Sequence, residues 1–153
     1  MKKHLNTSIF KKASIFYALA AEKQAAGFVF VCLEDRTILL AKRSQNSSEP
    51  GTWAGLGGTL NPGEDAKEGA IREVEEEAGS MPEIKRILKK VDIKRPGLVF
   101  TTFIAELSLD EKRRWKPKLN FEHDTILWTR KLPDNIHKGL LQALSKALVS
   151  SHI

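Results

Sequence analysis

The sequence predicts an α+β domain with mixed strands, and three observations carry that prediction. An unbroken apolar run, Gly27 to Leu33, rich in Val and Phe, reads as a buried strand. Two segments, Ala66 to Ala78 and His137 to Val149, carry helical periodicity. Between and around them lie further strand-like runs, giving the order β-β-α-β-β-β-α. At 153 residues the chain suits one core, and at 41% hydrophobic and 29% charged it has the composition of an ordinary globular protein.

Residues 1–24 are expected to form an N-terminal extension, with the main domain over 25–153. Lys2 and Lys3 precede a weakly apolar run, and Ala18-Leu19-Ala20 fits a small-x-small cleavage pattern, the mark of a secretory leader. Lys11 and Lys12 interrupt the apolar content. The alternative is an amphipathic helix with Ile9, Phe16 and Ala20 roughly on one face.

From Gly27 the elements follow in order. Glu34-Asp35-Arg36 turns the first strand into a second, Thr37 to Ala41. Ser44 to Thr52 is a loop by composition. The helix over Ala66–Ala78 has Asp65 to cap its start and Gly79 to end it. Glu83 to Arg95, with six Lys and Arg residues, reads as an exposed strand that turns at Pro96-Gly97 into a stronger one, Leu98 to Leu107. Asp110 to Lys118 reads as a charged loop, Thr125 to Thr129 as a short strand, and the last helix has Leu140, Leu141, Leu144 and Leu148 as its apolar stripe.

The formal charge of +6 raises the question of a polyanionic partner. Residues 1–24 hold five lysines against Glu22 alone, so most of the excess lies in the extension, and charge does not demand nucleic acid. Cys32, the single cysteine, leaves no intrachain disulfide and no cysteine metal knuckle; it reads as a small buried hydrophobe. No apolar stretch reaches the ~20 residues of a membrane span. The expectation is a cytoplasmic protein, monomer or homodimer, with no membrane partner.

Chemistry concentrates in one stretch. Arg72-Glu73-Val74-Glu75-Glu76-Glu77 places four carboxylates in five positions of one helix. Like charges three or four apart cost a helix about 0.2–0.5 kcal/mol per pair, so the crowding calls for cations. Glu73, Glu76 and Glu77 stand at i, i+3 and i+4 and share a face; Ile71, Val74 and Ala78 follow the same spacing on the opposite one. Oxygen ligands of this density suit Mg²⁺ or Mn²⁺, which bridge to substrate phosphates. The glycine turn before the helix lets backbone approach a metal or phosphate. Arg72 can brace a carboxylate or contact a phosphate.

The spacing is Gly-x5-Glu-x7-Arg-Glu-U-x-Glu-Glu-x-Gly, with U apolar, from Gly58 to Gly79. With seven named residues at about 6–7% abundance each, a chain this long matches it by chance about once in a million. The stretch closely resembles the Nudix box of the Nudix (MutT-like) hydrolases, and the similarity extends from about Ala26 to the C-terminal helix. That resemblance implies an α/β/α sandwich around a mixed sheet. It also implies metal-dependent hydrolysis of a pyrophosphate bond in a nucleoside diphosphate linked to another moiety. By position it makes Glu73, Glu76 and Glu77 metal ligands, joined by the Gly57 carbonyl and by Glu64 as an accessory carboxylate. Arg72 becomes the arginine that orients the glutamates. Outside the box, Arg43 stands where related enzymes place a phosphate-binding arginine, and Glu122 where they often carry a metal-binding or base glutamate. The base is then Glu76 or Glu122. His123 is a candidate substrate contact, and Trp53, Phe121 and Trp115 are candidates to stack on a nucleobase.

Two positions depart from the pattern: Ser80 with Met81 at the box's last apolar position, and Leu56 where proline is common before the glycine pair. Pro96, sixteen residues beyond Ser80, resembles a spacing found in ADP-ribose pyrophosphatases; the short chain resembles enzymes that cleave nucleoside triphosphates. The substrate expectation therefore covers ADP-ribose or a similar nucleotide sugar and (d)NTPs including oxidised forms. The alternatives are a cap-removing RNA enzyme and a non-catalytic nucleotide-binding domain.

Overall fold

The computed structural model describes residues 22–150. The helix and cleavage-site expectations for the extension fall on residues outside these. Seven strands form one mixed sheet: β1 (Lys23–Cys32), β2 (Thr37–Arg43), β3 (Trp53–Ala54), β4 (Leu56–Thr59), β5 (Arg86–Arg95), β6 (Leu98–Glu106) and β7 (His123–Thr129). The helices are α1 (Ala66–Ala78), α2 (Leu109–Arg114) and α3 (Lys138–Ser150). The main path runs β3-β2-β1-β6-β5; β4 pairs with β1 and β7 with β2. Only β1–β6 is parallel among the described strand pairs, which needs a crossover, and α1 lies in that connection.

Period-2 alternation divides the sheet between two cores. Ala26, Phe28 and Phe30 of β1 with Phe103 and Ala105 of β6 face α1, which contributes Ala70, Val74 and Ala78. Val29, Leu40, Val91 and Ile104 face α3, which contributes Leu140, Ala143 and Ala147. Both faces of β1 are covered, so its sequence is a continuous apolar run rather than an alternating one. The result is the three-layer α/β/α sandwich.

Three details differ from expectation. First, β1 begins at Lys23, so Lys23 and Gln24 belong to the sheet and not to the extension.

Second, the expected charged loop at 110–118 contains α2. Ser108 Oγ accepts from the Glu111 amide, Asp110 and Glu111 occupy the first turn, and three cations occupy the last. Ser108-x-x-Glu111 is the spacing of a capping box, a signal the run of charge obscured.

Third, Trp115 closes α2 and is core: its ring meets Phe30 edge-on at 5.6 Å, and Nε1 donates to Ser80 Oγ at 3.0 Å. It is not placed to stack on a ligand. The hydroxyl of Ser80, where the box usually carries an apolar side chain, serves as that acceptor.

The basic stretch before Pro96 is the outer strand β5, and its lysines and arginines suit a sheet edge that must not pair with another chain. Among the described residues no helix is long and apolar enough to cross a membrane.

Candidate active site

Helix α1 is fixed at both ends. Asp65 accepts from the Glu68 amide at 2.9 Å, and Gly79 at φ 82° turns the chain out while its N–H reaches Glu75 O. Beside it the glycine pair of β4 packs backbone against backbone on β1, Gly57 opposite Gly27. A Cβ on Gly57 would stand 2.5 Å from Ala26 O and from Gly27 Cα, and one on Gly58 would stand 2.5 Å from Glu73 Oε2. The glycines therefore let α1 bring its carboxylates onto β4.

This contrast predicts two different variants. Gly58→Ala is expected to lower hydrolysis at least tenfold with a Tm change of only a few degrees, because the obstructed group is a movable carboxylate. Gly57→Ala, striking backbone, is expected to lose stability first. Thermal melts and initial rates on the pair check this, and an unaltered rate in Gly58→Ala would refute it.

The three glutamates of the motif are not equivalent. Glu76 is exposed, with 55% of its side chain accessible. Glu73 lies against Gly58, and burial, followed by the charge of Glu76, pushes its carboxyl upward. Glu77 is 1% exposed and turns inward beside the core residue Val74. Burial raises its carboxyl to about 9, with the charges of Glu122 and Glu73 adding to the effect. Its two oxygens share a single backbone donor, Gly57 N–H, each at 3.3 Å.

Arg72 braces carboxylates with every arm of its guanidinium. Nε donates to Glu64 Oε2 at 2.8 Å, and Nη2 to Glu64 Oε1 at 2.9 Å and Thr59 O at 3.0 Å. Nη1 reaches Glu76 Oε1 at 2.9 Å and Glu73 Oε1 at 3.1 Å. The arginine is thus committed to positioning and not to a phosphate. Glu64, expected among the metal-binding set, has both oxygens on Arg72, whose hydrogen bonds hold it down to about 2.

Glu122 reaches the same place from the far side of the sequence. Its loop is strapped to the end of α1 by Lys118 N–H to Ala78 O and Asn120 N–H to Glu77 O, 2.8 and 2.9 Å. Asn120 Oδ1 accepts from the Glu122 amide at 2.9 Å. On the other flank Ser44 N–H donates to Glu122 O, and Ser44 Oγ to Phe121 O. Asn120 and Ser44 are positioning residues the sequence reading did not single out; both have short polar side chains suited to holding backbone.

Where β2 pairs with β7, the consecutive Lys42 and Arg43 face Thr125 and His123, so Asp124 bulges from β7 and Arg43 lies opposite His123. Arg43 is steadied by Ser48, Nε on the carbonyl and Nη2 on the hydroxyl at 2.8 Å. Burial, and then the Arg43 charge, depress His123 to about 4, so it is neutral at pH 7. Both of its ring nitrogens are buried without a hydrogen bond, Nδ1 lying 3.6 Å from Glu77 Oε2.

These groups meet at one end of a cleft of about 750 Å³. Arg43, Gly57, Glu73, Glu77, Glu122 and His123 line it. From that end the cleft runs over the α3 face of the sheet, past Phe100 and Thr102, to Lys23 and Arg95. Trp53 instead packs into the α3-side core, and the Phe121 ring is 70% exposed outside the cleft. Phe28 and Phe100 both line the cleft; Phe28 is buried in the α1-side core, and Phe100 lies on the α3 face between the carboxylates and the far end. Because β6 is apolar on both faces, alternation could not single Phe100 out.

The donor set fits a hard divalent cation. The Glu122 charge opposes ionisation of both Glu73 and Glu77 in a partly desolvated corner, and Glu77 is offset by the shared Gly57 N–H and the charge of Arg43. Among the described residues no three such groups are already closed to ligand distance. The fit therefore rests on chemistry: oxygen-only, anionic and mutually repelling.

The site is thus an Arg-braced carboxylate helix at the mouth of a cleft, on a mixed sheet between two helical layers. The Nudix domain model matches residues 22–130, and the chain belongs to the Nudix family as a Nudix hydrolase. A MutT Nudix hydrolase from Burkholderia pseudomallei is 26% identical, with 81% of this chain and 98% of that one covered at a TM-score of 0.61. A C. elegans Ap4A hydrolase binary complex is also 26% identical, covering 84% and 98% at 0.58. A MutT protein from Methanosarcina mazei shares the fold at 21% identity, covering 85% and 95% at 0.62. No curated protein matches the chain in sequence.

Proposed function

We propose that this chain hydrolyses the pyrophosphate bond of a nucleoside diphosphate linked to a further moiety, with Mg²⁺ or Mn²⁺ as cofactor. The observation that carries the proposal is the gathering of Glu73, Glu77 and Glu122 with Arg43 at one end of a nucleotide-sized cleft. Glu73, Glu77 and the Gly57 carbonyl, with Glu76 on the outer side, would hold the cation. When bound it supplies charge neutralisation of the phosphate oxygens and acidification of water.

The protein's own groups do the rest. Arg43, set opposite His123 beside the β7 bulge and steadied by Ser48, pairs with a phosphate oxygen. Arg72 keeps Glu73 and Glu76 in place. Of the two carboxylates expected as base, Glu122 lines the cleft, whereas Glu76 is exposed and tied to Arg72. We assign to Glu122 the proton of the attacking water. The water oxygen bonds to phosphorus, the bridging P–O bond breaks, and the departing phosphate leaves with that oxygen. Phe100 offers the nucleobase a stacking surface.

Small nucleotides suit this cleft better than RNA. Several cations that invited an RNA reading are spent internally: Arg86 and Lys85 on the buried Glu106, and Lys112 on Asp35 and the Trp128 face. The Ap4A hydrolase among the structural relatives supports the linked-nucleotide class. The test is incubation with ADP-ribose, Ap4A, NTPs and oxidised dNTPs, with Mg²⁺, Mn²⁺ or EDTA, and identification of the products. Metal-dependent release of a nucleoside monophosphate from at least one is expected, and hydrolysis that survives EDTA would sink the cofactor reading.

A further inference from the structure

We propose that the far end of the cleft is a receptor for a second phosphate, so that the substrate is a nucleoside diphosphate derivative whose ribose carries an additional phosphomonoester, bound by Lys23 and Arg95. This rests on the pyrophosphohydrolase reading and adds to it the substrate class.

Strand register builds the receptor. Lys23 of β1 pairs with Leu98 of β6, and Leu98 pairs with Arg95 of β5, so the three form one row across the sheet. Cross-strand partners point to the same face, here that of α3. The next row inward is Ala25–Phe100–Ile93, and beyond it Gly27–Thr102, where β1 meets Gly57. Lys23 thus stands four residues from Gly27, roughly 13 Å at about 3.3 Å per residue. A nucleoside bridges that span, its 5′ phosphates at the carboxylate end and its base over Phe100, with the short side chain of Ala25 next to the ring.

Charge supports the assignment. The acidic residues lining the cleft are Glu49, Glu73, Glu77 and Glu122. Three belong to the catalytic end, and the Glu49 carboxylate is turned toward His137 Nε2. Among the described residues neither Lys23 nor Arg95 has a carboxylate partner.

Arg95 is also held rather than loose. Nη2 donates to Gln142 Oε1 at 2.5 Å, and it lies 4.0 Å from where a Cβ on Gly139 would be. A planar guanidinium fixed by a neutral amide, lining the same cleft as an ammonium two strands away, suits a phosphate dianion held between them.

The experiment compares AMP with adenosine 2′,5′- and 3′,5′-bisphosphate by titration calorimetry on the full chain, and ADP-ribose with 2′-phospho-ADP-ribose by Mg²⁺-dependent turnover. At least one bisphosphate is expected to bind tenfold or more tighter than AMP, with the ratio shrinking as salt rises. In Lys23→Gln/Arg95→Gln that ratio is expected to fall within twofold. Lys23→Gln alone, which leaves the Arg95–Gln142 contact intact, is expected to give an intermediate ratio.

Equal affinities in the wild type, or a preference that survives the double substitution, would overturn the proposal. In particular, a double variant that weakens AMP and bisphosphate equally would mean the cations read the base edge. Failure to hydrolyse either ADP-ribose compound, with the bisphosphate preference intact, would count against the hydrolase reading and leave the second-phosphate receptor standing.

Discussion

Glu122→Gln is expected to lose about 10²–10⁴ in kcat at every Mg²⁺ concentration, the range typical of a deleted general base. The substitution is isosteric, and the short contacts that hold position 122 are made by its backbone, the amide to Asn120 Oδ1 and the carbonyl from Ser44 N–H; the side chain adds a 3.5 Å contact from Asn120 Nδ2 to Oε2, an acceptor that Gln can also supply. Folding should therefore be unaffected, and Tm should stay within a few degrees. Glu76→Gln is expected to behave differently, although it too should be nearly neutral for stability, since its bond to Arg72 is a half-exposed surface pair. Its rate should fall by orders of magnitude at low Mg²⁺ and recover partly as Mg²⁺ rises, because Glu76 stands on the outer, solvent side of the cation set. Steady-state rates over a Mg²⁺ series separate the two roles. If Glu122→Gln kept its rate within about threefold while Glu76→Gln lost it at all metal concentrations, the base would have to be reassigned to Glu76.

The distinction between these glutamates marks where sequence reading reaches its limit. Helical spacing put Glu73, Glu76 and Glu77 on one face, and it also anticipated the Asp65 cap and the Gly79 stop, because those are local properties of a thirteen-residue segment. It could not show that Glu77 is buried and Glu76 exposed. That depends on where the sheet lies, and β4 and the 118–122 strap are fixed by long-range pairing. The strand order had the same character: apolar runs announced β1 and β6, but their parallel pairing is a tertiary fact. The stacking residue was sought among Trp53, Phe121 and Trp115, on size. Trp53 and Trp115 pack into the cores, while Phe100 lines the cleft from a strand whose both faces are apolar. Lys23 was assigned to the extension on composition, yet hydrogen bonding to β6 makes it sheet.

The metal-free protein is expected to be most stable near pH 6.5 and to lose stability as pH rises from there to 9. Glu77 governs the alkaline side. Its carboxyl is raised from 4.5 to about 9 by burial and by the Glu122 and Glu73 charges. Between those values the folded chain keeps a proton that the unfolded chain has released. Unfolding then releases a proton, and stability falls with pH, on the order of 1 kcal/mol per pH unit for a whole proton. Glu73 is shifted in the same direction, so its contribution also falls with pH, starting from the ordinary carboxylate range.

His123 acts oppositely on the acid side. Its imidazole is lowered from 6.5 to about 4, so between those values the unfolded chain takes up a proton that the folded chain refuses, and stability rises with pH. His137, lowered chiefly by burial, contributes in the same sense. From 4.5 to 6.5 the two effects oppose; above 6.5 the histidines have finished titrating and Glu77 sets the slope. Glu64, held near 2, loses its contribution only under more acid conditions.

If Glu77 ligates the proposed cation, binding displaces its proton, so Mg²⁺ affinity should rise with pH, and saturating Mg²⁺ should flatten the alkaline decline. Calorimetric melts from pH 5 to 9, in EDTA and in Mg²⁺, measure both effects. Glu77→Gln in EDTA should lose most of the slope above 6.5. A wild type whose Tm is level from 6.5 to 8.5 in EDTA, or a Glu77→Gln variant with the full slope, would show that the buried carboxylate is not the group that couples this fold to its cation.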